Sequence, residues 1–493
     1  MLNFLFKNNT VKQTIAKNTF WLFLGQIVSK ILRFILVAYS ARTLGASEFG
    51  SFSFAFSLVT LTFVLADLGL SSLTVREYQQ PSPHRHLIST SFWLRTALSI
   101  GSMLVSFAVY PFVEDPIARH IFPLIVLLYM LTNIRDFFTS LYRAEQRMER
   151  EGILWIIESI VLLGAGYWML HTVPSALHLL YAHFISVFAF FVCAYALLKK
   201  PSERTHISSR QIFGPMDPEL ARHLVGLSWP TALSAILFSI LVSMDATMLG
   251  FLKSADVVGQ YSVAARLAYV LLTVPGVIGT AFFPLMSQLK DDKQRLHGVV
   301  KKGTNAILII SLPLMFGGFL LGDRMITTFF GEGYLPAIAV FQILSIMYLY
   351  LFPIVFWDIF LLSVNLQLKD FQYTSIATAL NVVLNFLLIP KFSLYGAALA
   401  TASSQFINFF LTHSLVRRYF GKTVLDWSAI LRYMIASGVM CAVIALFIPF
   451  YTTSYIVIPT AISAYVVMLY ILKDPLFLSF LSAMKRKSRE FIE

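Results

Sequence analysis

Apolar runs of about 20 residues recur along almost the whole chain, and this feature limits its fold more than any other. An α-helix of about 20 residues is roughly 30 Å long, which matches the hydrocarbon core of a bilayer. The sequence is 57% hydrophobic and only 13% charged. Transmembrane barrels would show shorter segments with alternating hydrophobicity. We therefore predict an all-α polytopic membrane protein with about 14 transmembrane helices.

Basic residues give the chain a net charge of +13, which raises the question of a nucleic-acid partner. Lys and Arg are concentrated in alternate loops, as expected when positive loops stay in the cytoplasm. The intervening loops hold Arg42, Arg119, Lys253, Arg324 and Lys391. This distribution predicts that both termini are cytoplasmic, and membrane topology explains the charge without a nucleic-acid partner.

A hydrophilic, proline-containing stretch at residues 199–222 divides the sequence and predicts a cytoplasmic linker. On this basis we predict four segments. They are an N-terminal six-helix lobe (1–198), the linker (199–222), a C-terminal six-helix lobe (223–418), and two additional helices with a basic cytoplasmic tail (419–493).

A turn phrase after the first predicted helix returns after the seventh, which indicates that the two lobes are homologous. Allowing four inserted residues in the second copy, the identities pair Ala41, Leu44, Gly45, Gly50, Ser53 and Ala55 with Ala246, Leu249, Gly250, Gly259, Ser262 and Ala264. Because both lobes begin on the same side of the membrane, we expect a parallel repeat whose axis runs along the membrane normal.

The first predicted helix carries charges at a depth that hydrocarbon does not tolerate. Gln26, Lys30 and Arg33 follow the spacing that aligns side chains on one helix face, which we call the cationic face. Lys30 lies roughly 15 Å from the start of the helix, too deep for easy snorkelling. One interpretation is a buried ion pair between helices. The other is a water-filled cavity for an anionic substrate, since intramembrane charges commonly mark a pathway.

Three other intramembrane charges are candidates for function. Arg266, on the eighth predicted helix, could bind an anionic substrate, snorkel to headgroups or pair with Asp245. Asp67 could carry a coupling proton or ion, but its Asp-Leu-Gly phrase is equally typical of a helix-end cap. We therefore retain Asp67 and Asp245 as candidates for coupling or pairing.

Asn381 and Asn385 share a helix face, and we expect them to make interhelical hydrogen bonds or to line a cavity. Gly421-Lys422-Thr423 ends like a phosphate-binding loop, but the preceding glycine and strand are missing. The histidines show no metal-ligand spacing. We expect neither a cofactor nor a metal site, and assign no catalytic residue.

Several phrases, in their order and spacing, resemble the polysaccharide biosynthesis exporters of the multidrug/oligosaccharidyl-lipid/polysaccharide (MOP) superfamily. The resemblance covers about residues 15–415. The phrases are Arg42–Gly45, Phe49–Phe54, Asp67–Leu70, Arg76–Glu77, Phe283–Ser287, Asn381–Asn385, Ile389–Pro390, Tyr395–Ala398 and Ala400–Thr401.

The resemblance implies a non-enzymatic flippase of the inner membrane with a V-shaped, two-lobed fold. Its substrate would be an undecaprenyl-pyrophosphate-linked oligosaccharide, such as an O-antigen repeat unit, moved to the outer leaflet by alternating access. Lys30, Arg33, Arg266 and Gln26 would then bind the pyrophosphate and glycan. A polysaccharide polymerase and a chain-length regulator are further candidate partners. The alternatives are a MATE-like multidrug or cation antiporter and, less favoured, a membrane glycan polymerase.

Overall fold

The computed structural model of the protein describes residues 11–80, 84–199, 209–447 and 454–489. Within these ranges the chain is helical and contains no β-strand, which confirms the all-α prediction. Its internal contacts define two compact units, Met1–Val263 and Ala264–Glu493. The predicted linker at 199–222 falls partly outside the described residues, which omit 200–208.

The first unit is built from helices of 4 to 53 residues. These are α1 (Val11–Phe63), α2 (Leu70–Tyr78), α3 (Leu87–Val109), α4 (Pro116–Ala144), α5 (Met148–Thr172), α6 (Ala176–Lys199), α7 (Ser209–Ile212) and α8 (Pro218–Leu252), followed by the start of α9 (Ala255–Val270). Short 3₁₀ turns at Val64–Ala66 and Tyr110–Phe112 extend α1 and α3.

Helix α1 contains two of the predicted spans, because it bends where Gly45 leaves the helical conformation (φ 73°, ψ 172°). Its first part packs closely along α5. A Cβ on Gly25 would lie 2.7 Å from the Cα of Gly152, so only the absence of side chains lets these backbones meet. Small residues commonly permit such approaches between membrane helices. This packing sets the register that brings the cationic face of α1 beside α5.

The second predicted span does not run unbroken into α2. After the 3₁₀ turn at Val64–Ala66, the backbone takes positive φ at Leu68 (44°) and Gly69 (76°) before α2 begins at Leu70. The Asp-Leu-Gly phrase is therefore the point at which the helix breaks. Broken membrane helices leave backbone and side-chain polar groups that other helices must satisfy.

The second unit contains the remaining helices. They are the end of α9, then α10 (Thr273–Gln288), α11 (Lys293–Leu320), α12 (Gly322–Phe330), α13 (Ala337–Ile346), α14 (Tyr348–Ser363), α15 (Gln367–Phe420), α16 (Trp427–Phe447), α17 (Ser454–Ile471) and α18 (Pro475–Arg489), with a 3₁₀ turn at Glu332–Tyr334.

Aromatic packing forms the core of this second unit. Trp357 on α14 is fully buried and donates a hydrogen bond from Nε1 to Thr304 Oγ1 on α11, at 3.0 Å. The last membrane helices join the same core, because Tyr465 on α17 donates to the carbonyl of Ile309 on α11 at 2.7 Å. The two additional helices are thus packed onto the unit through α11.

Helix α15 also contains two predicted spans, since its backbone reverses at Ser393 (φ 53°, ψ −131°). Its two halves lie against each other, and a Cβ on Gly396 would come within 2.4 Å of the carbonyl oxygen of Leu388. The first and last turns of α15 consequently lie at the same end of a helical hairpin.

Ten helices in the described residues are long and apolar enough to cross a membrane. The number rises to 12 if each of two bent pairs forms one span. These pairs are Ala337–Ile346 with Tyr348–Ser363, bent by 50°, and Val457–Ile471 with Pro475–Ser482, bent by 101°. The protein is therefore multi-pass, whereas the count of about 14 stays a prediction.

Candidate functional site: the cationic face of the first helix

The cationic face predicted on α1 is present in the folded chain. Gln26 and Lys30 are exposed, and the side chain of Arg33 keeps 41% of its surface exposed. Ser29, between them, is buried. Helical spacing thus places an amide, an ammonium and a guanidinium along one accessible stripe of a membrane helix.

Arg33 is also an anchor to the neighbouring helix α5. Its Nη2 lies 3.0 Å from Oε1 of Glu158, and its Nε donates to Ser159 Oγ at 3.4 Å. The Glu158 side chain is only 2% exposed. Arg33 therefore combines a buried partner on one side with accessible surface on the other.

Glu158 also accepts a hydrogen bond from a second arginine, so that the ion pair becomes part of a larger cluster. Arg135 on α4 donates from Nη1 to the same Oε1 atom at 2.7 Å, and from Nη2 to Asp136 Oδ1 at 2.7 Å. The other carboxylate oxygen of Glu158 is buried and accepts no hydrogen bond from the described residues. We call Arg33, Glu158, Arg135 and Asp136 the charge cluster. It ties three membrane helices together with equal numbers of positive and negative groups.

Asp67, at the break between α1 and α2, is held by a second intramembrane ion pair. Its Oδ1 lies 3.2 Å from Arg95 Nη2 and accepts from the backbone N–H of Ser71 at 3.2 Å. Arg95 also donates to Asn133 Oδ1 at 2.5 Å. Asp67 therefore both caps the start of α2 and pairs with a buried arginine on α3.

The other predicted site residues lie on other helices. Asp245 on α8 is 1% exposed and accepts a hydrogen bond from the hydroxyl of Tyr261 on α9. Arg266 is partly exposed on α9, in the second compact unit. The structure groups Gln26, Lys30 and Arg33, but the functions predicted for all of these residues stay predictions.

Asn381 and Asn385 are completely buried in the hairpin of α15. Asn381 donates from Nδ2 to Thr401 Oγ1 at 2.9 Å, across the two halves of the hairpin. Asn385 donates from Nδ2 to Asn381 Oδ1 at 3.2 Å. The first bond connects the two halves of the hairpin, and the second runs along its first half, where unsatisfied polar groups would be costly.

The pairing of Arg33 with Glu158 does not follow from the sequence. The two residues are 125 positions apart, and helical periodicity says nothing about which distant helix faces a given stripe. A carboxylate inside an apolar run was the available signal. Within the described parts of the chain, no group of three metal-binding side chains was found.

The fold and its intramembrane charges define a multi-pass helical membrane protein whose polar groups are concentrated at helix–helix contacts. The chain belongs to the polysaccharide biosynthesis protein family, because that family matches residues 15–290, more than half of its length. The resemblance to this branch of the MOP superfamily is thus confirmed.

Known proteins extend this similarity over most of the chain. A Haloferax volcanii protein named "Probable low-salt glycan biosynthesis flippase Agl15" is 24% identical over 403 residues, 80% of this chain and 82% of the relative. The structure titled lipid II flippase MurJ, inward closed conformation, has a TM-score of 0.72 at 14% identity, covering 93% of this chain and 99% of that chain. An inward-facing multidrug resistance MATE family transporter of the MOP superfamily has a TM-score of 0.63 at 12% identity, covering 81% and 98%. At such low identities, the structural likeness shows the fold alone.

Proposed function

We propose that the protein is a flippase for a lipid-linked glycan. Its substrate would be an undecaprenyl-pyrophosphate-linked oligosaccharide, which it moves from the cytoplasmic to the outer leaflet of the inner membrane by alternating access. Family membership and the glycan-flippase name of the Haloferax relative support this class of function. The protein makes and breaks no covalent bond in this proposal, and both of its termini are cytoplasmic.

The exposed side chain of Arg33 is the observation that carries the proposal. An arginine needed only to tie α1 to α5 could be buried with its partner, yet the Arg33 side chain is 41% exposed against 2% for Glu158. Guanidinium groups bind phosphate oxygens in a bidentate geometry. Lys30 lies one turn away and supplies a point charge, and Gln26 supplies an amide for glycan hydroxyls. A pyrophosphate is the anionic group that suits this stripe.

We assign the remaining polar residues secondary roles. Arg266 stays a candidate cation for the pyrophosphate. Asp67 and Asp245 are candidates for coupling or for structural pairing, and the Arg95 contact of Asp67 favours pairing at that position. Asn381 and Asn385 would stabilise the hairpin of α15 through their buried hydrogen bonds.

A depletion strain tests the proposed function directly. Loss of the protein should leave the lipid-linked repeat unit in the cytoplasmic leaflet, inaccessible to a membrane-impermeant glycan-modifying reagent. Re-expression of the wild-type chain should restore access. Normal appearance of the repeat unit in the outer leaflet without the protein would refute the proposal. Resistance to cationic dyes, without any change in surface glycan, would favour a multidrug antiporter instead.

A further inference from the structure

A basic pocket lies at one end of the α15 hairpin, and none of the residues proposed to bind the transported substrate lines it. It encloses about 370 Å³. Its lining comes from the first turns of α15 and the residue before it, and from its last turns: Leu366, Lys369, Gln372, Tyr373, Leu415, Arg418 and Tyr419. The reversal at Ser393 brings these two ends of the helix together.

Two exposed cations give the pocket its charge. Lys369 and Arg418 line it from opposite ends of the hairpin. A third cation lies beside the pocket, because Lys293 Nζ is 5.0 Å from the centre of the Tyr419 ring. The carboxyl of Asp370 is not part of the lining and lies beside that of Asp358. The lining residues themselves therefore carry only positive charge.

Apolar and aromatic side chains form the rest of the wall. Leu366 and Leu415 supply aliphatic surface, and Tyr373 and Tyr419 supply rings with a hydroxyl at the tip. Tyrosine is suited to the boundary between hydrocarbon and headgroups because it has an apolar body and a polar end. A free phosphate ion would use only the cations. A molecule with a phosphate next to a hydrocarbon chain would use both kinds of surface.

We propose that this pocket binds the headgroup of an anionic phospholipid from the cytoplasmic leaflet. The distribution of Lys and Arg predicts that the two ends of the α15 hairpin lie on the cytoplasmic side, where anionic headgroups attract basic residues. Basic pockets between membrane helices on that side suit such headgroups. The volume also falls within the range of about 300–1,000 Å³ that is typical of small-molecule sites. The site is independent of the proposed flippase function.

Lipid retention by the purified full-length chain tests the proposal. The delipidated protein is mixed with phosphatidylglycerol or phosphatidylcholine of identical acyl chains, and bound lipid is counted by native mass spectrometry. The variants are Lys369→Gln, Arg418→Gln and the double substitution. Arg417→Gln is the matched control, because it removes the same charge one residue away at a position that does not line the pocket.

The wild-type chain should prefer phosphatidylglycerol. Each cation near an anionic headgroup contributes roughly a fivefold preference, so the double variant should lose about 25-fold. Arg417→Gln should keep the preference. An equal loss in Arg417→Gln, or an unchanged preference in the double variant, would overturn the proposal. So would complete displacement of the lipid by millimolar inorganic phosphate, which would identify a free-phosphate site. Thermal unfolding in neutral detergent checks folding, and the single variants replace the double variant if it fails to fold.

Discussion

Gly50 and Gly259, which occupy equivalent positions in the two copies of the repeated turn phrase, pack against each other's helices reciprocally. A Cβ on Gly50 would lie 1.8 Å from the carbonyl oxygen of Ala255, and a Cβ on Gly259 would lie 1.9 Å from that of Ala46. Ala46 and Ala255 each lie four residues before the glycine of their own phrase. The backbone of each phrase is therefore in close contact with the glycine of the other.

Substitution of Gly50 should show how much this contact contributes to stability. Gly50→Ala places a methyl group against backbone atoms, which cannot move away by a rotamer change. We therefore expect folding free energy to fall by about 1–3 kcal/mol or more. Gly259→Ala should behave in the same way. Gly101→Ala is the control, since a Cβ there meets nothing within 4 Å. Detergent-extracted folded protein and its unfolding temperature are the measurements. Equal stability of all three variants would show that the contact is not tight.

Substitution of Arg33 should reduce transport more than substitution of any other candidate residue. Arg33→Ala should abolish delivery of glycan to the cell surface while folded protein remains abundant, and Arg33→Lys should restore only part of the activity because lysine lacks the planar fork. Arg135→Ala is the control, since Arg135 binds the same oxygen of Glu158 from another helix. A structural role alone would make transport fall in step with folded protein in both variants. Normal glycan in Arg33→Ala would exclude substrate binding.

Glu158 should matter more for stability than Arg33 does. Its side chain is 2% exposed and accepts hydrogen bonds from Arg33 and Arg135. Glu158→Gln therefore removes part of the negative charge that balances Arg135 in a buried site. Breaking a buried ion pair from one side costs roughly 3–5 kcal/mol. Arg33→Ala should cost less, because Arg33 is half exposed. Unfolding temperatures of the two variants test this order, and the reverse order would contradict it.

Arg95 and Asp67 should respond unequally to neutral substitution, although they form one ion pair. Arg95 has a side chain that is 6% exposed, against 39% for Asp67. Arg95→Ala should therefore destabilise the fold by roughly 3 kcal/mol, since it leaves a cavity and several polar groups without a donor. Asp67→Asn should cost less than Arg95→Ala, because the amide oxygen can still accept from Arg95 and from the backbone N–H of Ser71. Folded yield measures both effects. A large loss of transport in well-folded Asp67→Asn would instead point to coupling.

Asp426, in the turn between α15 and α16, should make stability depend on acid pH. Burial raises its pKa, but hydrogen bonds from Lys301, Ser428 and the backbone N–H of Ala429 outweigh burial and lower the pKa from 3.8 to about 2. The contribution is thus fully present above the unfolded pKa and is lost as the pH falls towards about 2. Because the pair is partly exposed, we expect less than about 1 kcal/mol.

Asp426→Asn is the test of that contribution. Its unfolding temperature should be lower than that of the wild-type chain near neutral pH, and the difference should shrink as the pH falls below about 4. The Lys301→Met variant, which removes the Asp426 partner at 3.0 Å, should show the same convergence. A difference that stays constant down to the lowest accessible pH would contradict the assignment.

Local patterns were enough to predict the helical fold, the family and the cationic face, because each depends on residues near one another in sequence. Spacing placed Lys30 and Arg33 on one stripe, and the apolar runs predicted the membrane helices. The partner of Arg33 could not be predicted in this way. It depends on the close approach of Gly25 and Gly152, which sets the register between two distant helices.

The helix break at Asp67 could likewise be predicted only in part, because its contacts with another helix do not follow from local sequence. The phrase Asp67-Leu68-Gly69 was recognisable as a capping sequence, and the Asp67 carboxylate does accept a hydrogen bond from the backbone N–H of Ser71. Its location inside a span, and its ion pair with Arg95, depend on how α3 packs beside it. Helix breaks in membranes are stabilised by such neighbours, which a single sequence does not reveal.

The balanced charges of the charge cluster also bear on how a bound anion would leave. If Arg33 turns from Glu158 to a phosphate, Arg135 is left facing two carboxylates, those of Glu158 and Asp136. The excess negative charge left behind attracts Arg33 and repels the phosphate that it holds. The resting fold would then supply a restoring force against its own ligand, so that the arrangement that captures the anion also limits how long it stays.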